Sequence, residues 1–291
     1  MPEIRVVVSE ELDRYMNTIV SKGMFGSKAE LIRAALIRYF ETLPLRVPTG
    51  YDDTTLFSPD GRIFQIEYAI ECTTRGSVMT GIRCSDGVIL AKRRFSPLVP
   101  EETTENVLSS PAWDFAVDEH IGLAPVGILP DFILIRDKAI KEAQSRRQQT
   151  GEPIRVEELV KRLAIFMQSF TMKKDVRPLG CVVFIGGVDE TGIHLFSLDP
   201  GGGYKEVLSD VAGWQRDETQ KILKDDYKPD IPLQKALALV IKAVLREATS
   251  KPEELAVVVI EAETKKLRKI GPEEMREAWE RALERKEEMT A

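Results

Sequence analysis

Tyr51-Asp52-Asp53-Thr54-Thr55-Leu56-Phe57-Ser58-Pro59-Asp60-Gly61-Arg62 runs directly into Ile63-Phe64-Gln65-Ile66-Glu67-Tyr68-Ala69. The first half is polar and ends on Pro-Asp-Gly, a turn sequence in which Pro presets φ and Gly accepts a positive one. The apolar positions that follow fit a short helix or an edge segment. Beyond them, Ser77–Ile82 and Val88–Ala91 are β-rich runs on either side of Ser85-Asp86-Gly87, which predicts a hairpin.

Further along, apolar residues at helical spacing predict helices over Asp131–Gln149, Val156–Thr171, Asp217–Tyr227 and Leu233–Ala248. Strands are expected at Cys181–Ile185 and His194–Leu198, with a turn from Asp189 to Gly192 between them. Two more, Leu255–Ala262 and Lys266–Ile270, follow the last of these helices. The final segment, Pro272–Met289, reads as a charged helix with Pro272 at its first position and Glu273-Glu274 in its first turn.

Upstream, residues 1–43 form a separate pattern. Ile4-Arg5-Val6-Val7-Val8 is β-rich, and Ser9-Glu10-Glu11-Leu12 reads as a helix N-cap with acids in the first turn. Leu12, Met16, Ile19 and Val20 recur at helical spacing, and Gly23 stops the helix. A second helix restarts at Ser27, with Glu30 completing a capping box, and runs to about Thr42. Pro44 and Pro48 mark a linker over 44–49. A strand and two helices in so few residues cannot bury a sufficient core, so a partner copy is implied.

Composition narrows the function. The chain has 291 residues, room for one large and one small domain, with 43% hydrophobic and 30% charged residues, as in folded soluble proteins. Its apolar runs are far shorter than the roughly 20 residues of a membrane span, and no secretory signal is visible at Met1-Pro2-Glu3-Ile4-Arg5. Three scattered cysteines (Cys72, Cys84, Cys181) and two histidines (His120, His194) exclude the common zinc sites and a disulfide scaffold. Free buried thiols fit the cytoplasm, and neither metal nor cofactor is expected. A net charge of −6 argues against bulk polyanion binding while leaving room for a local patch.

The order strand–helix–helix, with Gly26-Ser27-Lys28-Ala29-Glu30-Leu31-Ile32-Arg33, resembles the ribbon-helix-helix family of dimeric DNA-binding domains. The resemblance implies a two-stranded ribbon in the major groove, with Glu3, Arg5 and Val7 facing outward and Ser27 and Lys28 meeting phosphate. Against DNA stands the local charge. Residues 1–45 carry six basic side chains (Arg5, Arg14, Lys22, Lys28, Arg33, Arg38) and six acidic ones (Glu3, Glu10, Glu11, Asp13, Glu30, Glu41). DNA binding and pure oligomerisation both remain open.

From Tyr51 onward the chain resembles the α-type subunits of the 20S proteasome. The resemblance rests on an ordered set: Gly50-Tyr51-Asp52, Phe57-Ser58-Pro59-Asp60-Gly61-Arg62, Gln65-Ile66-Glu67-Tyr68-Ala69, Gly81-Ile82 and Asp86-Gly87-Val88. Gly151-Glu152-Pro153-Ile154, Leu159-Val160-Lys161-Arg162, Arg177-Pro178-Leu179-Gly180 and Asp199-Pro200-Gly201 continue it. It implies an α+β fold, a four-layer αββα sandwich of the Ntn-hydrolase type over 50–291, and assembly of the chain with itself into rings, with β-type proteasome subunits as candidate partners. Aligned on Gly81, the catalytic nucleophile position of β-type subunits falls on Ser77, the acid on Arg93 and the lysine near Asn106, so no peptidase activity is expected. Lys92-Arg93-Arg94, Asp225-Asp226 and Glu253-Glu254 are expected to be solvated charges.

The resemblance also carries over an inter-subunit gate cluster to Tyr51, Asp52, Pro59 and Tyr68, although the Tyr51–Phe57 spacing is one residue short of the usual archaeal one. The activator-pocket lysine falls on neutral Asn106, and the pore loop, small and neutral in the family, reads Met172-Lys173-Lys174-Asp175. These departures imply a divergent paralogue. Two functions stay open: a non-catalytic ring that controls access to a peptidase chamber or builds a separate cage, and a DNA-binding regulator that uses the proteasome-like domain to oligomerise.

Overall fold

The computed structural model describes residues 7–23, 25–42, 53–58, 61–93, 116–245 and 252–288. The chain divides into two compact units, Met1–Gly50 and Tyr51–Ala291.

In the first unit, helices α1 (Glu10–Ser21) and α2 (Lys28–Thr42) form where the spacing predicts them. The Ser9 hydroxyl accepts the Leu12 N–H at 3.3 Å, and the chain turns away after α1 at Gly23, whose φ of 72° suits a residue without Cβ. Ser27 Oγ accepts the Glu30 N–H, while the Glu30 carboxylate turns back to the Gly26 N–H at 2.8 Å. Ile4, Arg5 and Val6 of the expected strand lie outside the described residues, and Val7 and Val8 are in no strand.

The second unit opens with α3 (Phe64–Thr74), so the apolar run after Pro-Asp-Gly is a helix and not an edge strand. The turn before it closes through Gly61 N–H to Ser58 O at 2.8 Å. Next come β1 (Met79–Arg83), β2 (Gly87–Arg93), β3 (Ala116–Asp118), β4 (Ile121–Gly127), α4 (Leu129–Thr150) and α5 (Val156–Thr171). After them lie β5 (Cys181–Asp189), β6 (Gly192–Leu198), β7 (Tyr204–Glu206), β8 (Ser209–Ala212), α6 (Arg216–Asp226) and α7 (Leu233–Leu245). A 3-10 turn at Pro252–Glu254, β9 (Leu255–Glu261), β10 (Leu267–Lys269) and α8 (Pro272–Glu288) complete the described chain.

Two five-stranded antiparallel sheets result, ordered β10-β9-β2-β1-β8 and β3-β4-β5-β6-β7. Period-2 alternation gives each sheet two apolar faces. On the inner faces Met79, Val88, Leu90, Phe184, Leu195 and Val258 build a common layer. Helices α6, α7 and α8 cover the outer face of the first sheet through Leu223, Leu237, Ile241 and Ala278. Helices α4 and α5 cover the second through Phe132, Ile135, Leu159 and Leu163. The layers run helix, sheet, sheet, helix.

Four strands, β3, β4, β7 and β8, are not legible in the sequence. Strand β4 contains Pro125, which signals an edge or a non-strand, yet Pro125 sits opposite Val183 of β5, while the pairing of β3 stops at Gly122. Strands β7 and β8 are three and four residues long. They exist because the chain crosses from one sheet to the other at Val207-Leu208, where Leu208 O accepts the Arg83 N–H at 2.8 Å. On the opposite side the Leu267 N–H donates to Glu119 O at 2.7 Å and ties β10 to the β3–β4 turn.

The hairpin turn also starts a helix. Asp86 Oδ1 accepts the Leu233 N–H at 2.8 Å, filling the first free donor of α7 with a carboxylate from across the sheet. Asp86→Ala is expected to cost about 1 kcal/mol of unfolding free energy in a urea titration. Asp86→Asn, which keeps the acceptor, is expected to recover most of that loss.

Candidate functional site

Residue 77 is the place to look for chemistry, because it precedes the first strand of the sandwich. Ser77 is partly buried and is reached by a continuous chain from α3, which packs against β4 and β5. Its surroundings are close-packed backbone: Gly76 O accepts the Trp214 N–H at 2.8 Å. Gly213, at φ 98°, lies so near that a Cβ there would stand 2.6 Å from Ser77 O. An N-terminal nucleophile needs a free amine beside an acid and a lysine. Ser77 has neither a free amine nor that acid, since position 93 is Arg93, whose Nη2 is 2.9 Å from Glu254 Oε2. Asn106 lies outside the described residues.

Three charged groupings expected to be solvated are so only in part, Asp225 being exposed. Besides the Arg93–Glu254 pair, Asp226 accepts from Lys242 Nζ at 2.9 Å. Lys92 is buried (8% exposed), because strand alternation places it on the same inward face as Val88 and Leu90. Burial drives its pKa down to about 8, weakly opposed by the neighbouring Cys181 thiol. Burial, with Asp131 adding to it, pushes the Cys181 thiol up to about 12, an unreactive neutral thiol. Counting by two along β2 would have picked out Lys92, which reading Lys92-Arg93-Arg94 as a charge run hid.

Of the carried-over gate residues, Tyr51, Asp52 and Pro59 lie outside the described residues. Tyr68 is on α3, stacked on Phe64 with ring centroids 6.3 Å apart. Arg62 grips Glu67 through both Nε and Nη2. The loop Met172-Lys173-Lys174-Asp175 follows α5 with all four residues exposed, and Asp175 turns it at φ 62°. The structure brings this loop onto the opening segment, a contact the sequence did not reveal: buried Thr54 donates through Oγ1 to Lys173 O at 2.8 Å. Thr55 donates N–H and hydroxyl bonds that hold the Asp53 carboxyl below its usual range, and nearby Lys174 adds to this.

Behind the loop, Arg177 makes two bonds to Asp131 at 2.6 and 2.8 Å, and Gly180 N–H donates a third at 2.8 Å. Burial alone raises the Asp131 pKa, but these donors outweigh it and the net shift is downward. The Arg177-Pro178-Leu179-Gly180 stretch is thus the strut that joins the start of α4 to the start of β5.

In the first unit Glu3 and Arg5 lie outside the described residues, and Val7 is 99% exposed. Lys28 Nζ lies 2.6 Å from Asp13 Oδ1, so this ammonium already has a carboxylate partner. Ser27 caps α2 as described above. The histidines serve structure: His120 Nε2 meets Ile154 O at 2.8 Å, and His194 bridges Glu206 and Thr191. A cavity of about 700 Å³ between α3 and the β8–α6 loop is lined by Thr73, Ser197, Asp199, Asp210 and Trp214. Its buried carboxylate, Asp210, is paired with Lys205 at 3.0 Å. Among the described residues no group of three His, Cys, Asp or Glu side chains could hold a metal ion.

Two facing antiparallel sheets lie between helical layers, with a partly buried serine at the head of β1 and an ion-paired arginine at the acid position, and among the described residues no proton-transfer network surrounds that serine. The comparisons place the chain. The family model for proteasome subunits matches residues 73–260, and the model for the N-terminal signature of the A-type proteasome subunits matches residues 51–71. The chain is 39% identical over 243 residues to the proteasome alpha subunit of Methanothermobacter thermautotrophicus, covering 82% of this chain and 95% of that one. It is 38% identical over 241 residues to the alpha subunit of Methanosarcina acetivorans (81% and 95%) and 38% over 239 residues to that of Thermococcus sibiricus (80% and 88%). The chain belongs to the proteasome subunit family, in its α-type branch. Subunits of that type are non-catalytic, catalysis being the work of β-type subunits, and this chain is not an enzyme. Residues 1–50 lie outside both family models.

Because Lys92 releases its proton near pH 8 when folded and near 10.5 when unfolded, the unfolded chain holds the extra proton between those values. Stability contributed by this residue is therefore lowest below pH 8 and rises from about pH 8 to 10.5. Lys92→Met is expected to flatten that rise and to gain roughly 1–3 kcal/mol at pH 7. Urea unfolding of both proteins at pH 7, 8.5 and 10 reads the slope directly; equal slopes would contradict the assignment.

Proposed function

We propose that this chain is a non-catalytic ring subunit that assembles with copies of itself and controls access to a chamber whose peptidase sites are supplied by β-type subunits. The observation that carries the reading is the Thr54–Lys173 hydrogen bond. It joins the opening segment, where a gate cluster is carried over to Tyr51, Asp52, Pro59 and Tyr68, to the loop that corresponds to the pore constriction. One hydroxyl thus links the two elements that would shape a channel mouth. The relatives named above support the subunit type; the ring, the gate and the cytoplasmic location are this reading's own.

Within it, the domains are 1–43, a ribbon-helix-helix-like unit that self-associates, then linker 44–49, then the subunit fold over 50–291. The DNA-binding alternative has less behind it: Lys28 is held by Asp13, and the basic and acidic residues of 1–45 are equal in number. The departures at Asn106 and at Met172-Lys173-Lys174-Asp175 favour a specialised paralogue, and a separate non-proteolytic cage would be the outcome if no β-type ring binds.

Negative-stain images with a solution mass test the reading. Expected are closed rings of chains with full-length intact mass and no hydrolysis of peptide substrates. A monomer in solution, or a chain beginning at Ser77, would overturn it. Asn106 supplies a second test. A peptide ending in a free carboxylate is expected to bind weakly or not at all, and Asn106→Lys to strengthen binding about 10-fold, one charge-assisted hydrogen bond. Tight binding by the unaltered protein would show that the activator pocket is built otherwise.

A further inference from the structure

The inward face of β6 changes character along its length. Alternation turns Leu195 into the layer between the sheets and puts Ser197, then Asp199 just past the strand's end, at the next inward positions, about 7 Å apart. Val88, Leu90 and Phe184 stand at such positions elsewhere in the layer. Here the layer ends in the cavity of about 700 Å³ between α3 and the β8–α6 loop, and both polar side chains line it. The chain leaves them partly unsatisfied. Ser197 is only 9% exposed, and among the described residues its hydroxyl has no hydrogen-bond partner. Asp199 accepts the Gly201 and Gly203 N–H groups at 2.8 and 3.0 Å, both through Oδ1. Its Oδ2 takes no donor, and among the described residues no cation pairs with the carboxylate.

The neighbouring charges decide what would complete these groups. Asp210, the other carboxylate of the wall, is already spent on Lys205 and on the Val211 N–H. At the rim, exposed Arg216 is outnumbered by Asp217 and Glu218, which also neutralise the start of α6. The unmet demand is for donors that carry positive charge, not for an anion. Water alone meets it poorly: the cavity holds far more than one water, and Ile70 (42% exposed), Val182 and Phe184 give it an apolar wall. An apolar lining with a few convergent polar groups, at this size, is the usual form of a small-ligand site. An alkylammonium group answers both parts, with N–H donors for Asp199 and Ser197 and methylenes for the wall. Trp214 adds an aromatic side chain to the lining, a favourable neighbour for such a cation.

We propose that this cavity binds an alkylammonium group, its nitrogen on Asp199 and Ser197 and its carbon chain against Ile70, Val182 and Phe184. The group has two sources of one chemistry, a free aliphatic diamine and the lysine side chain of a peptide. The site lies within the second unit of a single chain and does not depend on the ring proposed above.

Calorimetric titration of the full-length protein tests it, with cadaverine as the free diamine and acetyl-Ala-Lys-Ala-amide as the lysine probe. One site per chain is expected for at least one of them, and the tighter binder identifies the source. Asp199→Asn, which keeps an oxygen for the two glycine N–H groups, is expected to weaken binding about 10-fold, one charge-assisted hydrogen bond, and Ser197→Ala about 3-fold. The uncharged diol of cadaverine's chain length is expected not to compete. Failure of both amines to bind at millimolar concentration, or equal binding of the diol, would overturn the proposal. So would titrations unchanged by Asp199→Asn, which would mark the amines as diffuse counter-ions of an acidic chain. Because the substitutions could disturb the turn at 199–203, hydrogen exchange of the unaltered protein gives an independent measure. Slower exchange across 197–203 and 210–218 with amine present supports the site; protection elsewhere, or none, overturns it.

Discussion

The fit of two sheets across one shared apolar layer is what the rest of the second unit depends on. The inner faces can approach only where side chains are missing. A Cβ on Gly81 of β1 would stand 2.8 Å from a methyl of Leu195 on β6, and one on Gly186 of β5 would stand 3.2 Å from a methyl of Val88 on β2. Each sheet thus contributes one glycine gap, and a branched side chain of the other fills it. Interiors are packed like crystals, so these two gaps hold the sheets in register. The two backbone ties at the sides of the sandwich, Arg83 to Leu208 and Leu267 to Glu119, are satisfied only in that register.

From this frame follows the loss of chemistry at the head of β1. The sandwich delivers Ser77 to the end of the inter-sheet layer, the right place for a nucleophile, but the chain upstream is uncut and folds back as α3 over β4 and β5. The charges near the site have been turned to packing: Arg93 is consumed by Glu254, and Lys92 enters the apolar layer with a depressed pKa. Buried charge of this kind is costly, and its partner groups matter more to folding than to reaction.

The first unit obeys another logic. Its helices are started by Ser9 and by the Ser27–Glu30 exchange of hydrogen bonds, local devices that need no core. Local capping fixes where helices begin but contributes little against chain entropy, so stability has to come from covering the apolar face. The second unit meets that need internally with three apolar layers.

What could be read from residues alone was whatever depends on neighbours in the chain. The helices over Val156–Thr171 and Pro272–Glu288, the hairpin about Asp86, the caps at Ser9 and Ser27 and the family motifs from Tyr51 onward all have short-range causes: side-chain period, turn chemistry, residue identity in order. The glycine gaps, the Pro125 strand, the crossover at Val207-Leu208, the burial of Lys92 and the Thr54–Lys173 bond were decided by tertiary structure. Each joins residues far apart in the chain, or depends on which face a strand turns inward, and no local pattern encodes such a partner. The unmade acid at position 93 was legible as an arginine; that its charge is spent on Glu254, 161 residues away, became visible only when β9 came to lie beside β2.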